Sequence, residues 1–458
     1  MTSSVSGLAS GLDTTNIISQ LMKVEGSAQN RLKNKVAVAE NVVSSYQSVN
    51  TKLVGLKNAA ADVSALATWR GIKPTTTSPS VTATAVGGTN TATGSMTFDV
   101  TQLAKGQSTT ARVDKSAAVT TADEIQVKVG SGDPVTVKLT DKTAKGVADA
   151  LNGAGIGVKA SVVTTGGEQN ILQFVSSKTG TENGFTITGL DGVALATSAA
   201  ADAKLQVGGS EAEGGYSVTS STNTFTGLMA GVTLTVSKVE SGVSLNTTSD
   251  VAGIAAKFKA LVDAANASLT EVTSQTKYDP ATKASSPLTG DFMVRQMSQT
   301  ILSAVSQGLT FRKDGAPAAP DAKTADAATI AADKAANTVN FGSLSKLGIE
   351  LDRSGQLTFD EEKFTAAYNA DPATIKQAGI GLGDNFRAVA NKQIENVTNS
   401  ITGRKNNIDS LNLQIDNWDV RLAAKKVALS KQYSDLETAL GKLQSQGTWL
   451  SGQIASLG

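Results

Sequence analysis

A chain of 458 residues has room for about two to four domains with ordinary cores. Its 41 basic and 40 acidic residues leave no net field to draw it to nucleic acid or an anionic membrane, and 4% aromatics supply no stacking platform. Cysteine and histidine are both absent, which removes disulfides, thiolate catalysis, most structural zinc sites, the Ser-His-Asp triad and the commonest metal ligand.

The chain opens Met1-Thr2-Ser3-Ser4-Val5-Ser6, with no positive n-region and no apolar h-region, so a Sec-type signal peptide is not expected. A small, glycine-broken stretch from Ser6 to Thr15 leads into a short amphipathic helix. Asp13, Thr14 or Thr15 caps it, and Ile17, Ile18, Leu21 and Val24 form one face. Alone, such a segment is too short to be stable and is expected to order on docking. Residues 31–70 read as the first long helix, ended by Gly71 to Pro79. Leu32, Val36, Ala39, Val43, Tyr46 and Leu53 lie along one side of it, stepping mostly by three and four.

From about residue 73 to 249 the chain becomes Thr/Val/Gly/Ser-rich with period-two alternation, as in Val232-Thr-Leu234-Thr-Val236. This predicts a β-rich block. Strands near 125–129 and 135–139, a helix from Thr143 to Asn152, and strands at 158–163, 171–175 and 185–188 form a sub-unit inside it. The helical period returns at Asp250, with Val251, Ile254, Phe258, Leu261, Val262 and Leu269 on one face. A second helix spans about 291–306. Residues 312–340, Ala/Asp/Lys-rich with two prolines, read as a mobile loop with room for a helical turn. Ile349–Leu351 and Gln356–Phe359 form a hairpin, and Asp360 caps a short helix. Gly379, Gly381 and Gly383 read as a joint before a long helix that starts near Asp384.

That last helix carries the most regular pattern. Ile394, Ile401, Ile408, Ile415, Leu422, Leu429, Leu436, Leu443 and Leu450 recur every seven residues with no proline between them. At ~1.5 Å per residue the run is about 85 Å long, more than a globular helix needs, so it requires a partner along its length. Leu411 and Trp418 occupy the companion position, interrupted by Arg404 and Lys425. The segment at the beginning of the chain is the natural partner. Beyond Gly441 only residues 1–30 remain to cover it, so both ends are expected to order on docking.

Site chemistry is thin elsewhere. Gly153-Ala-Gly155-Ile-Gly157 follows a helix and precedes a strand, the reverse of a dinucleotide loop, and reads as a turn. Asp352 to Glu361 lacks the calcium-loop glycine position, and carboxylate pairs carry little weight in a chain with 40 acids. An enzyme is not expected, nor is any cofactor or metal.

Several stretches together resemble a known family. Ser6-Gly-Leu8-Ala-Ser-Gly11-Leu12-Asp13-Thr14, continuing to Ile17-Ile18-Ser-Gln-Leu21-Met22-Lys-Val-Glu25, resembles the opening of flagellar filament cap proteins of the hook-associated protein 2 family. Ser221 to Val236, Ser286-Pro287-Leu288-Thr-Gly290-Asp291 and Leu347 to Asp360 resemble later parts of that family, in the same order. Residues 135–188 resemble a flagellin-type insert. Two features depart from the pattern: Ser27-Ala28-Gln29 stands where the family usually has a proline, and 312–340 is longer than usual.

The resemblance and the periodicities imply an α+β multidomain fold, in which a long antiparallel coiled-coil stalk carries two inserted β-rich domains and flexible terminal segments. The expected divisions are a foot at 1–40, a stalk helix at 41–72, an outer β-rich domain at 73–113 and 205–249, and an inner one at 114–204. A helical and hairpin part at 250–383, the heptad helix at 384–440 and a second foot at 441–458 complete the chain. The resemblance further implies an extracellular homo-oligomeric ring at the flagellum tip, exported without a Sec signal by the flagellar type III route, beneath which exported flagellin folds and inserts. Implied partners are flagellin, hook–filament junction proteins and a type III export chaperone, with no nucleic acid and no membrane insertion. Leu8, Leu12, Ile17, Leu21, Leu443, Trp449, Leu450, Ile454 and Leu457 are the expected filament contacts. The alternative is a surface adhesin whose β-rich domains bind host glycan or mucin.

Overall fold

The structure, a computed structural model, describes residues 11–87, 91–313, 315–321 and 324–455. The helices are α1 (Thr14–Glu25), α2 (Ser27–Ser64), α3 (Leu66–Trp69), α4 (Ala144–Ala154) and α5 (Val251–Thr276). There follow α6 (Phe292–Ser306), α7 (Ala327–Asn337), α8 (Glu361–Ala370) and α9 (Pro372–Ala455). Two compact units result, Ala65–Ile254 and the combination of Met1–Ser64 with Ala255–Gly458. Among the described residues no helix is long and apolar enough to cross a membrane.

The β-rich unit holds two hydrophobic cores. The first joins a five-stranded antiparallel sheet, in the order Ile72–Thr76, Glu240–Ser249, Gly94–Gln102, Ala203–Val207 and Tyr216–Ser220, with a second sheet. That second sheet contains Thr224–Thr226, Val232–Val236 and Val81–Ala85. Strand alternation explains the burial: Val232, Leu234 and Val236 turn inward while the intervening threonines do not. They bury with Phe98, Val100, Leu205, Phe225 and Leu245.

The second core draws on two further sheets. One has the order Leu195–Ser198, Ser108–Asp114, Gln169–Ser176, Val158–Thr164, and the other Val135–Lys138, Glu124–Val129, Phe185–Thr188. Helix α4, capped by the Thr143 hydroxyl, adds Val147 and Leu151 to Ile125, Leu172 and Phe174. Strand Ser108–Asp114 was expected in the outer part, but it pairs with Gln169–Ser176, and its inward Ala111 and Val113 belong to this second core.

In the helical unit α2 and α9 run antiparallel. Val43, Tyr46, Val49, Leu53, Leu56, Ala60 and Val63 of α2 are buried, as are Ile375, Leu382, Phe386, Ala390 and Val397 of α9. Phe258 of α5 lies 6.0 Å from Phe359 and 4.7 Å from Phe364, which ties α5 to α8 and to the hairpin Ile349–Leu351/Leu357–Phe359. Asn266 exchanges two 2.8 Å hydrogen bonds with the Leu357 backbone across the same junction.

Three expectations are corrected here. The first long helix starts earlier and ends earlier than 31–70: α2 covers Ser27–Ser64, and extended Ala65 (ψ 125°) separates it from the four-residue α3. Gly379, Gly381 and Gly383 are not a joint, since α9 passes through them unbroken for 84 residues from Pro372. Gly381 and Gly383 are bare because neighbours come close: a Cβ on Gly381 would fall 2.4 Å from the Phe311 Cβ, and one on Gly383 would fall 2.6 Å from the Ala60 carbonyl oxygen. Residues 312–340 are more ordered than a loop. Asp326 caps α7 through the Thr329 N–H, Thr338–Gly342 pairs with Leu309–Arg312, and Arg312 grips Asp333 at 2.6 and 2.8 Å. Alanine-rich α7 has the propensity to form once capped.

Candidate assembly surface

The α2–α9 pair changes character along its length. Gln29 donates to Asp419 Oδ1 at 2.6 Å and to the Ile415 carbonyl at 3.3 Å, and Lys425 lies 3.7 Å from Glu25. These contacts set the register in which α1 and the beginning of α2 lie along the second half of α9. Toward the base, seam residues Val43, Tyr46 and Leu53 are buried. Away from it, Leu32, Val36, Ala39, Ile394, Ile401, Ile408, Leu411, Ile415, Trp418, Leu422 and Leu429 are only half-buried, and Leu436 is exposed. No apolar side chain of α9 after Val397 is fully buried.

Polar residues in this seam have local partners that a search for apolar periodicity misses. The Tyr46 hydroxyl donates to Asp291 Oδ2, with Arg404 beside it. Burial, then the hydrogen bond to Asp291 and its charge, push the Tyr46 hydroxyl up to about 12. Asp291 also caps α6 by accepting the Val294 N–H. Bulky Trp418 is covered by the Arg421 guanidinium, 4.4 Å from its ring centroid. Lys425, an expected weak point, faces Glu25. Buried Gln29 carried no sequence signal beyond the missing proline beside it.

Of the expected filament contacts, Leu8 and Leu457 lie outside the described residues. Leu12 precedes α1 and is exposed, Ile17 is half-buried, and Leu21 is exposed. On α9, Leu443, Trp449, Leu450 and Ile454 are 62%, 66%, 54% and 65% exposed. They do not share one face. At about 100° per residue, Leu443, Leu450 and Ile454 fall within about 40° of one another and continue the Leu436 stripe, whereas Trp449 is turned away by about 100–140°. The antiparallel register brings the first residues of α1 level with about residue 432 of α9. Among the described residues, therefore, the stripe from Leu436 to Ile454 continues past the cover that α1 supplies. The stripe keeps the seven-residue spacing with which helices pair.

Comparison with known proteins agrees with this architecture along most of the chain. Residues 200–445 match the family profile for the flagellar hook-associated protein 2 C-terminus, and residues 10–107 match that for its N-terminus. Flagellar hook-associated protein 2 of Escherichia coli (strain K12) is 24% identical over 500 residues, covering 98% of this chain and 97% of the relative. The Salmonella typhimurium protein of the same name is 24% identical over 360 residues, covering 72% of this chain and 70% of the relative. The crystal structure of the D1-D2-D3 domains of the Escherichia coli flagellar cap protein FliD aligns with a TM-score of 0.55 at 22% identity, over 79% of this chain and 99% of that one. The chain belongs to the flagellar hook-associated protein 2 family.

Proposed function

We propose that this protein caps the distal end of the bacterial flagellar filament as a homo-oligomeric ring and promotes the folding and insertion of exported flagellin there. The role is structural, exerted outside the cell at the filament tip after type III export, with hook–filament junction proteins and an export chaperone as further partners. Family membership supports the cap role, and the stripe Leu436–Leu443–Leu450–Ile454, exposed among the described residues, is the observation that carries the docking step. Burying one such side chain is worth about 1.5–3 kcal/mol. A few of them give a foothold that holds a leg on the filament yet releases it when a new subunit arrives.

The test is the triple variant Leu443→Ser/Leu450→Ser/Ile454→Ser in the full chain. Secretion and folding should be retained, while filaments fail to elongate and flagellin accumulates in the medium. Filaments of normal length would refute the docking role.

A further inference from the structure

Helix α9 carries a second apolar stripe that the other described residues leave uncovered. Leu413, Val420 and Val427 recur every seven residues, with Asp409, Asp416 and Ala423 at the companion spacing. At about 100° per residue this stripe lies about 180° from the seam that faces α1 and α2. Its three apolar members are 65%, 71% and 71% exposed, and Asp409 and Asp416 are exposed beside them. A helix with heptads on two opposite faces is built to touch two partners, and here the inner one is already present.

The same helical pair offers a complementary surface. A groove of about 490 Å³ between α2 and α9 has an apolar floor of Val38, Ala39, Val42 and Leu411 and a basic rim of Lys35 and Arg404. Val38 is exposed in it although it is aliphatic. Groove and outer stripe match in both respects: apolar floor to apolar ridge, and two cations to two carboxylates.

We propose that the α2–α9 groove receives the outer stripe of α9 from a second copy of this chain, Leu413 and Val420 seating on Val38 and Leu411 while Asp409 and Asp416 face Lys35 and Arg404. The two surfaces are different parts of one molecule, so the contact is head-to-tail and propagates from copy to copy, closing into a ring where the rotation allows. This assigns the subunit contact within the homo-oligomer of the proposed function, and it rests on that reading for its biological setting.

The chain has no cysteine, so paired single-cysteine variants report the contact without background. Full-length Val38→Cys and Leu413→Cys are purified separately, mixed without flagellin and oxidised. A disulfide-linked dimer in the mixture and in neither variant alone is expected. Lys35→Glu and Asp416→Lys should each raise the concentration for half-assembly about fivefold or more, and the double variant should restore it. No mixed cross-link, a Val38→Cys self-link of equal yield, or charge reversals without effect would overturn the contact. Persistence of the oligomer in that case would leave the ring reading standing, whereas failure of that reading appears separately, as a parent chain that stays monomeric at every concentration.

Discussion

Gly383 of α9 lies against the α2 backbone at Ala60, so close that a Cβ would fall 2.6 Å from the Ala60 carbonyl oxygen and 2.8 Å from the Ser64 amide. The two helices thus meet backbone to backbone at the base of the pair. Gly383→Ala gains about 1 kcal/mol of helix propensity but must push α2 away, at about 1–3 kcal/mol plus lost packing of its neighbours. We expect a net loss of roughly 1–2 kcal/mol in denaturant unfolding. Gly403→Ala is the control: it has nothing within 4 Å and should stabilise by about 0.5–1 kcal/mol. Equal effects at both positions would show that close approach is not what Gly383 provides.

Tyr46→Phe removes the hydroxyl that donates to Asp291 and leaves a carboxylate oxygen short of a partner where α2 and α6 meet. A loss of about 1–2 kcal/mol is expected. The pH dependence has a definite sign. Because the folded chain holds the Tyr46 proton up to about 12, against 10.0 for an ordinary tyrosine, this group's contribution is complete below pH 10 and is lost as pH rises from 10 to 12. Ultraviolet titration should find a late-ionising tyrosine that disappears in Tyr46→Phe.

Arg312→Ala should release α7. Hydrogen bonds from Arg312 hold the Asp333 carboxyl below the usual carboxylate range. The latch is therefore intact above the ordinary Asp pKa and opens as pH falls through the lowered one. Hydrogen exchange within Ala327–Asn337 should accelerate in the variant at neutral pH, and in the parent only in acid. Unchanged protection in the variant would place the restraint elsewhere.

Truncation after Gly441 should leave the midpoint of thermal unfolding within about 2 °C of the parent, because no apolar side chain of α9 after Val397 is fully buried. A larger fall would mean that the terminal segment folds back onto the rest of the chain.

Much of this architecture could be read from residues alone, since period two and period seven each leave a direct imprint on burial. The hairpin after Ile349 and the Asp360 cap were legible because a tight turn and a capping carboxylate each act within a few residues. The glycines at 379–383 were misread because a glycine gives the same letter whether the chain bends or a neighbour presses close; Phe311 and Ala60, far away in sequence, decide it. Strand Thr338–Gly342 was missed for a similar reason, because its partner Leu309–Arg312 lies across a proline-containing, alanine-rich stretch that masks the pairing. For the surface, the apolar residues named on α9 are exposed, and their grouping by face follows from helical spacing, which sets Trp449 apart from Leu443, Leu450 and Ile454. The outer stripe at Leu413, Val420 and Val427 was equally regular, yet it became distinct only once α1 and α2 were seen to occupy the other face.

The unbroken run of α9 also has a mechanical consequence. From Thr398 to Ala455 the helix extends about 87 Å beyond its firmly buried segment, with no proline to hinge it. Such a rod acts as a lever, and a tilt of about 5° at the base moves the tip by about 7–8 Å, more than one helical turn. Small adjustments in packing around Phe386 and Ala60 are thereby geared up into displacements of several ångströms at Ala455.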